Sequence, residues 1–112
     1  MELILKPWGS EEILSHTKQY VMKKMYIKPY HRMSLQYHEV KEETIYVVEG
    51  CLLIWDSAVS SPKKLSPGEV YHVVPNQVHR FGAGDGHGVT LIECSTTELS
   101  DVVRLEDDYS RS

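Results

Sequence analysis

Apolar residues along this chain alternate with polar ones in short runs, and turn-forming residues interrupt the runs about every ten positions, the spacing of strands in a sandwich or barrel. The three-to-four-residue recurrence of helices is hard to find. The pattern predicts strands near 11–15, 19–28, 32–38, 44–49, 51–56, 70–74, 78–81 and 88–94. Breakers stand between them at Pro29, at Gly50, in the Ser57 to Pro62 stretch, in "SPGE" at 66–69 and in "GAGDGHG" at 82–88. No internal repeat, low-complexity tract or linker divides the chain, so one all-β barrel domain over 1–112 is expected, with its interior as the place for a ligand. "MELILKPWG" reads as an apolar edge segment, and only the tail, "RLEDDYSRS", is polar enough to be expected loosely held.

Composition narrows the partners. Of 112 residues 41% are hydrophobic, enough for a single core, and 12 basic against 16 acidic side chains leave a net charge of -4. A sequence-independent attraction to nucleic acid or to an anionic membrane is not expected. No stretch approaches the ~20 apolar residues of a membrane span, nor is there a signal-like start. Cys51 and Cys94 are isolated thiols without a CxxC pattern, and are expected to be reduced core residues of a cytoplasmic protein.

The chemistry concentrates in "SLQYHEVKEETIYVVEG", residues 34–50. Alternation places Arg32, Ser34, Gln36 and His38 on one strand face and Met33, Leu35 and Tyr37 on the other. If the polar face looks inward, Gln36 and His38 project side by side and the turn at 39–42 returns Glu43 toward them. His79 in "VVPNQVHRF" is the best fourth donor, since Pro75 and Asn76 supply a turn that aims it at the same interior. Imidazole, carboxylate and amide donors suit Zn²⁺, Fe²⁺, Mn²⁺ or Ni²⁺. The residues alone leave a second reading open, in which they are solvated strand-face groups and hydrogen-bonded structural histidines.

Spacing gives the segment a family likeness. Tyr30 to Gly50 resembles the first cupin motif (glycine, five residues, HxH, three or four residues, glutamate, six residues, glycine), with Tyr30 at the first glycine, Gln36 and His38 at HxH, then Glu43 and Gly50. The second motif (glycine, five residues, PxG, two residues, histidine) is matched by Gly68, "VPN" at 74–76 and His79, with Asn76 at the glycine, a residue that tolerates positive φ. Within the cupins the chain is similar to the C-terminal domain of type II mannose-6-phosphate isomerases. "KPWGSEEIL" resembles that family's RPWGxYE, "RMSLQYH" its RLSLQxH, "PNQVHRF" its AGTPHRL, "LIE" its LIEVQ and "DVVRLEDDYSR" its DIVRxEDxYGR.

The resemblance implies a double-stranded β-helix (jelly roll) and a divalent metal, zinc first, with iron, manganese or nickel as alternatives, bound by Gln36, His38, Glu43 and His79. It implies catalytic roles for Lys41 and Arg80, Lys41 as a phosphate partner or as a proton carrier of lowered pKa, and substrate contacts for Arg32 and Ser34. His16, His31, His72 and His87 match no ligand position. Three departures stand out. His38 is followed by Glu39 and Val40 where the family has histidines, "FGAGDG" replaces LENPG, and these 112 residues leave no room for the guanylyltransferase domain that precedes the cupin in bifunctional enzymes. The expected function is sugar-phosphate isomerisation of the mannose-6-phosphate type, against a noncatalytic sugar or sugar-nucleotide binding module and an iron-dependent oxygenase. A homodimer is the expected assembly.

Overall fold

A computed structural model describes residues 2–84 and 86–111. They form eleven strands: β1 (Glu2–Lys6), β2 (Gly9–His16), β3 (Val21–Ile27), β4 (Leu35–Tyr37), β5 (Glu43–Glu49), β6 (Leu52–Trp55), β7 (Lys63–Leu65), β8 (Val70–Val73), β9 (Arg80–Ala83), β10 (Val89–Ser95) and β11 (Val103–Glu106). Among the described residues there is no helix, so none is long and apolar enough to cross a membrane.

One sheet has the order β1-β2-β3-β10-β5-β8, with every neighbouring pair antiparallel. Opposite it lie β7-β6-β9 and β11-β4. Segment 30–36 joins these two pieces by running antiparallel to 79–84, through reciprocal backbone hydrogen bonds between Gln36 and His79 and bonds from Met33 N to Phe81 O, Ala83 N to His31 O and Tyr30 N to Gly84 O. The result is the expected all-β jelly roll.

Strand alternation explains what fills the space between the sheets. In β3 the inward positions are Val21, Lys23, Met25 and Ile27, in β10 Val89, Leu91, Glu93 and Ser95, and in β5 Glu43, Ile45 and Val47, all buried. Apart from Val21, the apolar members of these rows join Trp8, Met33, Leu52, Ile54, Val73 and Phe81 in one core. The charged members cluster toward the other end. The interior is thus divided along each strand into an oily end and an ionic end, and the ionic end is where a ligand must go, since a buried charge needs a partner.

Two motif positions expected to carry glycine geometry do so without glycine. Tyr30 has φ 64° and Asn76 φ 67°. Gly50, at φ 87°, has no substitute: a Cβ there would lie 2.3 Å from the Gly88 carbonyl oxygen.

Four expectations are corrected. β1, β7 and β11 are strands that the alternation did not mark, because three to five residues show too little period. The strand expected over 32–38 shrinks to Leu35–Tyr37. Cys51 and Cys94 are free but exposed, Cys94 on an outward position of β10 and Cys51 just before β6. The C-terminal tail is pinned: β11 pairs with β4, Arg32 holds Asp108 through two bonds of 2.7 and 2.9 Å, and Tyr109 packs against the core.

Candidate metal centre

Each of three side chains arrives at the ionic end from a different element. Glu43 opens β5 on its inward face, His38 follows β4, and His79 immediately precedes β9; all three are buried. Glu43 Oε1 lies 3.2 Å from His38 Nε2 and 3.3 Å from His79 Nε2, and the three donor atoms fall within 4.8 Å of one another.

The protonation of the rings follows from their other nitrogens. His38 Nδ1 faces the Asp101 carbonyl at 2.5 Å and His79 Nδ1 the Gln77 carbonyl at 2.9 Å. A carbonyl only accepts, so both Nδ1 atoms donate, and in the neutral rings both Nε2 atoms present lone pairs to a carboxylate. The Nε2 of His79 is buried with no hydrogen-bond donor near it. Three converging lone-pair groups of this kind repel one another unless a cation sits between them, and backbone carbonyls on the far ring nitrogens are the usual way of orienting metal-binding histidines. The residues therefore fit a divalent metal.

Burial works against charge on Glu43, but a hydrogen bond from the Glu93 carboxyl and the positive charge of nearby Lys41 help outweigh it, and the carboxyl is held well below its ordinary range. An ionised ligand is available at neutral pH.

Gln36 stands directly opposite His79 in the backbone pairing, which puts their side chains on one face. Its amide oxygen accepts a 2.6 Å hydrogen bond from Ser34, which is itself buried. Ser34 thus orients Gln36, and it does not line the cavity described next.

Beside the triad lies a cavity of about 230 Å³, bordered by Gln36, His38, Trp8, Met25 and Met33. Its cationic lining comes from Lys6, Lys23, Lys41, Arg104 and Arg111, its acidic lining from Glu11 and Glu93. Positive groups outnumber negative ones here on a chain whose net charge is -4. Lys23 pairs with Glu11 at 3.1 Å, and Lys41 reaches Glu93 at 3.4 Å and Glu43 at 3.7 Å. Burial pushes the Glu93 carboxyl up, and the Glu43 charge adds to it, so that Glu93 titrates at about 8. Glu93 went unnoticed in the sequence as a site residue. Its signal was a glutamate on the inward parity of an otherwise apolar strand.

Lys41 does share a side with Glu43, as alternation required. Its lowered pKa is corrected: burial alone would lower it, but Glu93 and Glu43 override burial and hold the ammonium above its ordinary value.

The structure places two further candidates elsewhere. Arg80 is next to His79 on a strand, so it points the opposite way; its guanidinium donates to the Met33 carbonyl (3.0 Å), the Glu106 carboxylate (3.1 Å) and the Glu106 carbonyl (3.1 Å). It fastens the C-terminal segment and is not at the triad. Arg32 lies over the Trp55 ring at 5.7 Å and clamps Asp108. It does not line the cavity either. Of the remaining histidines, His31 stacks on Tyr109, His72 pairs with Glu42, and none joins the triad.

Asp101 was also missed. Its carboxylate accepts the amide protons of Glu39 (3.0 Å), Val40 (2.7 Å) and Lys41 (2.9 Å), which lowers its pKa.

The mannose-6-phosphate isomerase C-terminal family matches residues 2–107. This chain belongs to that family. Mannose-1-phosphate guanylyltransferase ManC of Salmonella typhimurium LT2 is 28% identical over 111 residues, covering 96% of this chain and 23% of ManC. The isomerase C-terminal domain described here therefore spans under a quarter of that relative. Among solved structures, the polyketide cyclase RemF of Streptomyces resistomycificus superposes with a TM-score of 0.80 at 19% identity, over 88% of this chain and 72% of RemF. The capsular polysaccharide assembling protein CapF of Staphylococcus aureus gives 0.80 at 18%, over 94% and 34%. A cupin-like protein of Thermotoga maritima gives 0.76 at 19%, over 88% and 76%. These likenesses establish the cupin fold of the isomerase C-terminal domain and leave its chemistry to the site.

Proposed function

We propose that this domain isomerises a sugar phosphate between its aldose and ketose forms, with mannose 6-phosphate as the first substrate to try. The observation that carries the reading is the cationic cavity beside a buried two-histidine, one-carboxylate cluster on an acidic protein. A phosphorylated sugar is small, polar and anionic, and such a pocket favours it.

His38, His79 and Glu43, joined by Gln36, are the residues that would hold a divalent ion, zinc first. The ion would supply a positive centre that polarises a carbonyl and stabilises negative charge on oxygen without redox change. Lys41, kept protonated by its two glutamates, gives a fixed positive charge for an anionic substrate. Glu93, pushed up to about 8 and so mainly protonated at neutral pH, supplies a carboxylic acid on the same cavity wall that can donate to a substrate oxygen. Trp8, Met25 and Met33 form the dry wall that strengthens these charges.

The same two-histidine, one-carboxylate set is also one that holds Fe²⁺ with open positions, which favours oxygen chemistry as the second reading. Elemental analysis of untagged protein, combined with NMR of mannose 6-phosphate in deuterated water, separates the two. Zinc with deuterium entering at C2 is expected. Fully metallated protein that exchanges no C2 proton in any hexose or pentose phosphate tried overturns the isomerase reading. A His38→Ala, His79→Ala double variant that keeps the wild-type metal content removes the assigned centre.

A further inference from the structure

We infer that Lys6 is the phosphate anchor of the cavity, and that the ligands it selects are sugars phosphorylated on the carbon farthest from their carbonyl. Given the isomerase reading, on which this assignment rests, the reacting carbons lie at the triad. The other end of the sugar then lies along the cavity, away from His38 and Glu43. Two of the cavity's cations stand at that far end, Lys6 on β1 and Arg111 in the C-terminal segment.

Strand parity and register fix the place of Lys6. β1 turns Ile4 and Lys6 toward the cavity, whereas Leu3 and Leu5 on the other parity are 62% and 80% exposed. Lys6 pairs with Gly9 and Gly9 with Ile27, at the oily end of β3, while Lys23 begins the ionic end of the same strand. The cations nearer the triad are accounted for. Lys23 is held by Glu11 at 3.1 Å, Lys41 reaches Glu93 at 3.4 Å and Glu43 at 3.7 Å, and Arg104 stands opposite Gln36 in the β11–β4 register. Lys6 differs. Among the described residues it has no ion-pair partner, although a cation turned toward a cavity wall is costly without one.

Arg111 brings a second donor to the same end. Asp107 holds its Nε and Nη2 at 2.9 and 3.1 Å, and the guanidinium lies 5.5 Å from the centre of the Tyr109 ring, which stacks on His31. His31 is bonded to Ala83 where Gln36 is bonded to His79, so this group belongs at the end of the barrel away from the triad. Its Nη1 is bonded to no carboxylate among the described residues. A mobile ammonium beside a guanidinium fixed in place is a donor set that a phosphate dianion recognises. A neutral sugar gains little from it, and a phosphate on the carbonyl carbon would lie at the opposite end of the cavity.

NMR titration of the zinc-loaded full chain with mannose 6-phosphate, mannose 1-phosphate and mannose tests the anchor. Wild type is expected to bind the 6-phosphate most tightly. Lys6→Met removes the charge and keeps an apolar stem on the wall. It is expected to weaken mannose 6-phosphate about tenfold and to leave the other two ligands, the metal content and the denaturant midpoint unchanged. Lys6→Arg keeps the charge and is expected to recover most of the lost affinity, which separates charge from fold. Wild type that binds mannose 6-phosphate no better than mannose overturns the anchor. So does a Lys6→Met variant that binds it as wild type does, and C2 exchange persisting in that variant then leaves the isomerase reading standing. An equal loss for mannose 1-phosphate overturns the orientation. Selective loss for the 6-phosphate, in a protein that exchanges no C2 proton, keeps the anchor and removes only the isomerase reading.

Discussion

The carbonyl of Asp101 accepts the Nδ1 proton of His38, and the carboxylate of the same residue collects the three amides that follow. One residue from the C-terminal segment thus fixes the tautomer of a metal-cluster histidine and the path of the loop that carries Lys41. Replacing Asp101 with alanine keeps the carbonyl and strips the loop of its acceptor. Metal affinity is expected to fall about 10- to 100-fold, measured by competition with a chelator of known affinity. Unchanged affinity would confine Asp101 to a purely local turn.

Glu93 sets a pH dependence in the metal-free protein. Its folded pKa of about 8 lies above the ordinary 4.5, so between those values the folded state binds more protons than the unfolded chain. Stability from this group is full below about 4.5 and is lost as pH rises toward 8, by up to about 1.4 kcal/mol per pH unit. Glu43, held low, acts in the opposite sense, its contribution being lost only as pH falls below the ordinary carboxylate range. Denaturant unfolding of chelator-treated protein at pH 5.5 and 7.5 should show this decline, and Glu93→Gln should flatten it. An equal slope in the variant assigns the decline to other groups.

Tyr30 holds a bulky side chain at φ 64° while 77% exposed. A left-handed backbone costs a non-glycine residue roughly 1–2 kcal/mol, and little burial is lost on truncation. Tyr30→Gly is expected to stabilise the protein by about 0.5–1 kcal/mol after the added chain entropy of glycine, read as a higher denaturant midpoint with an unchanged slope. A lower midpoint would show that the ring contributes more than the strain costs.

Arg80 is expected to behave as a fastener. Arg80→Ala leaves the buried Met33 carbonyl without its donor and the exposed Glu106 without its partner, and should cost about 1–3 kcal/mol, while the protein that remains folded keeps its metal stoichiometry. Loss of metal without loss of stability would return Arg80 to the site.

Much of this protein was legible before folding because a strand's period of two is local. The inward rows of β3, β5 and β10 follow from alternation, and so does the shared side of Lys41 and Glu43. Gly68, Asn76 and Gly50 marked turns whose geometry depends on their own φ angles. Short elements were not legible: β7 and β11 are three and four residues long, and their pairing energy comes from partners far along the chain.

The sequence by itself determined an all-β fold and the spacing that brings His38, Glu43 and His79 within reach of one another, because backbone sterics and alternation act between near neighbours. Only the tertiary structure decided which charges share the cavity. Arg80 and Arg32 were drawn away to Glu106 and Asp108 across 26 and 76 residues, whereas Glu93 and Lys23 were drawn in by the register of β3, β10 and β5. A buried charge settles where a partner is available at a few ångströms, and that distance is a property of the packed sheets.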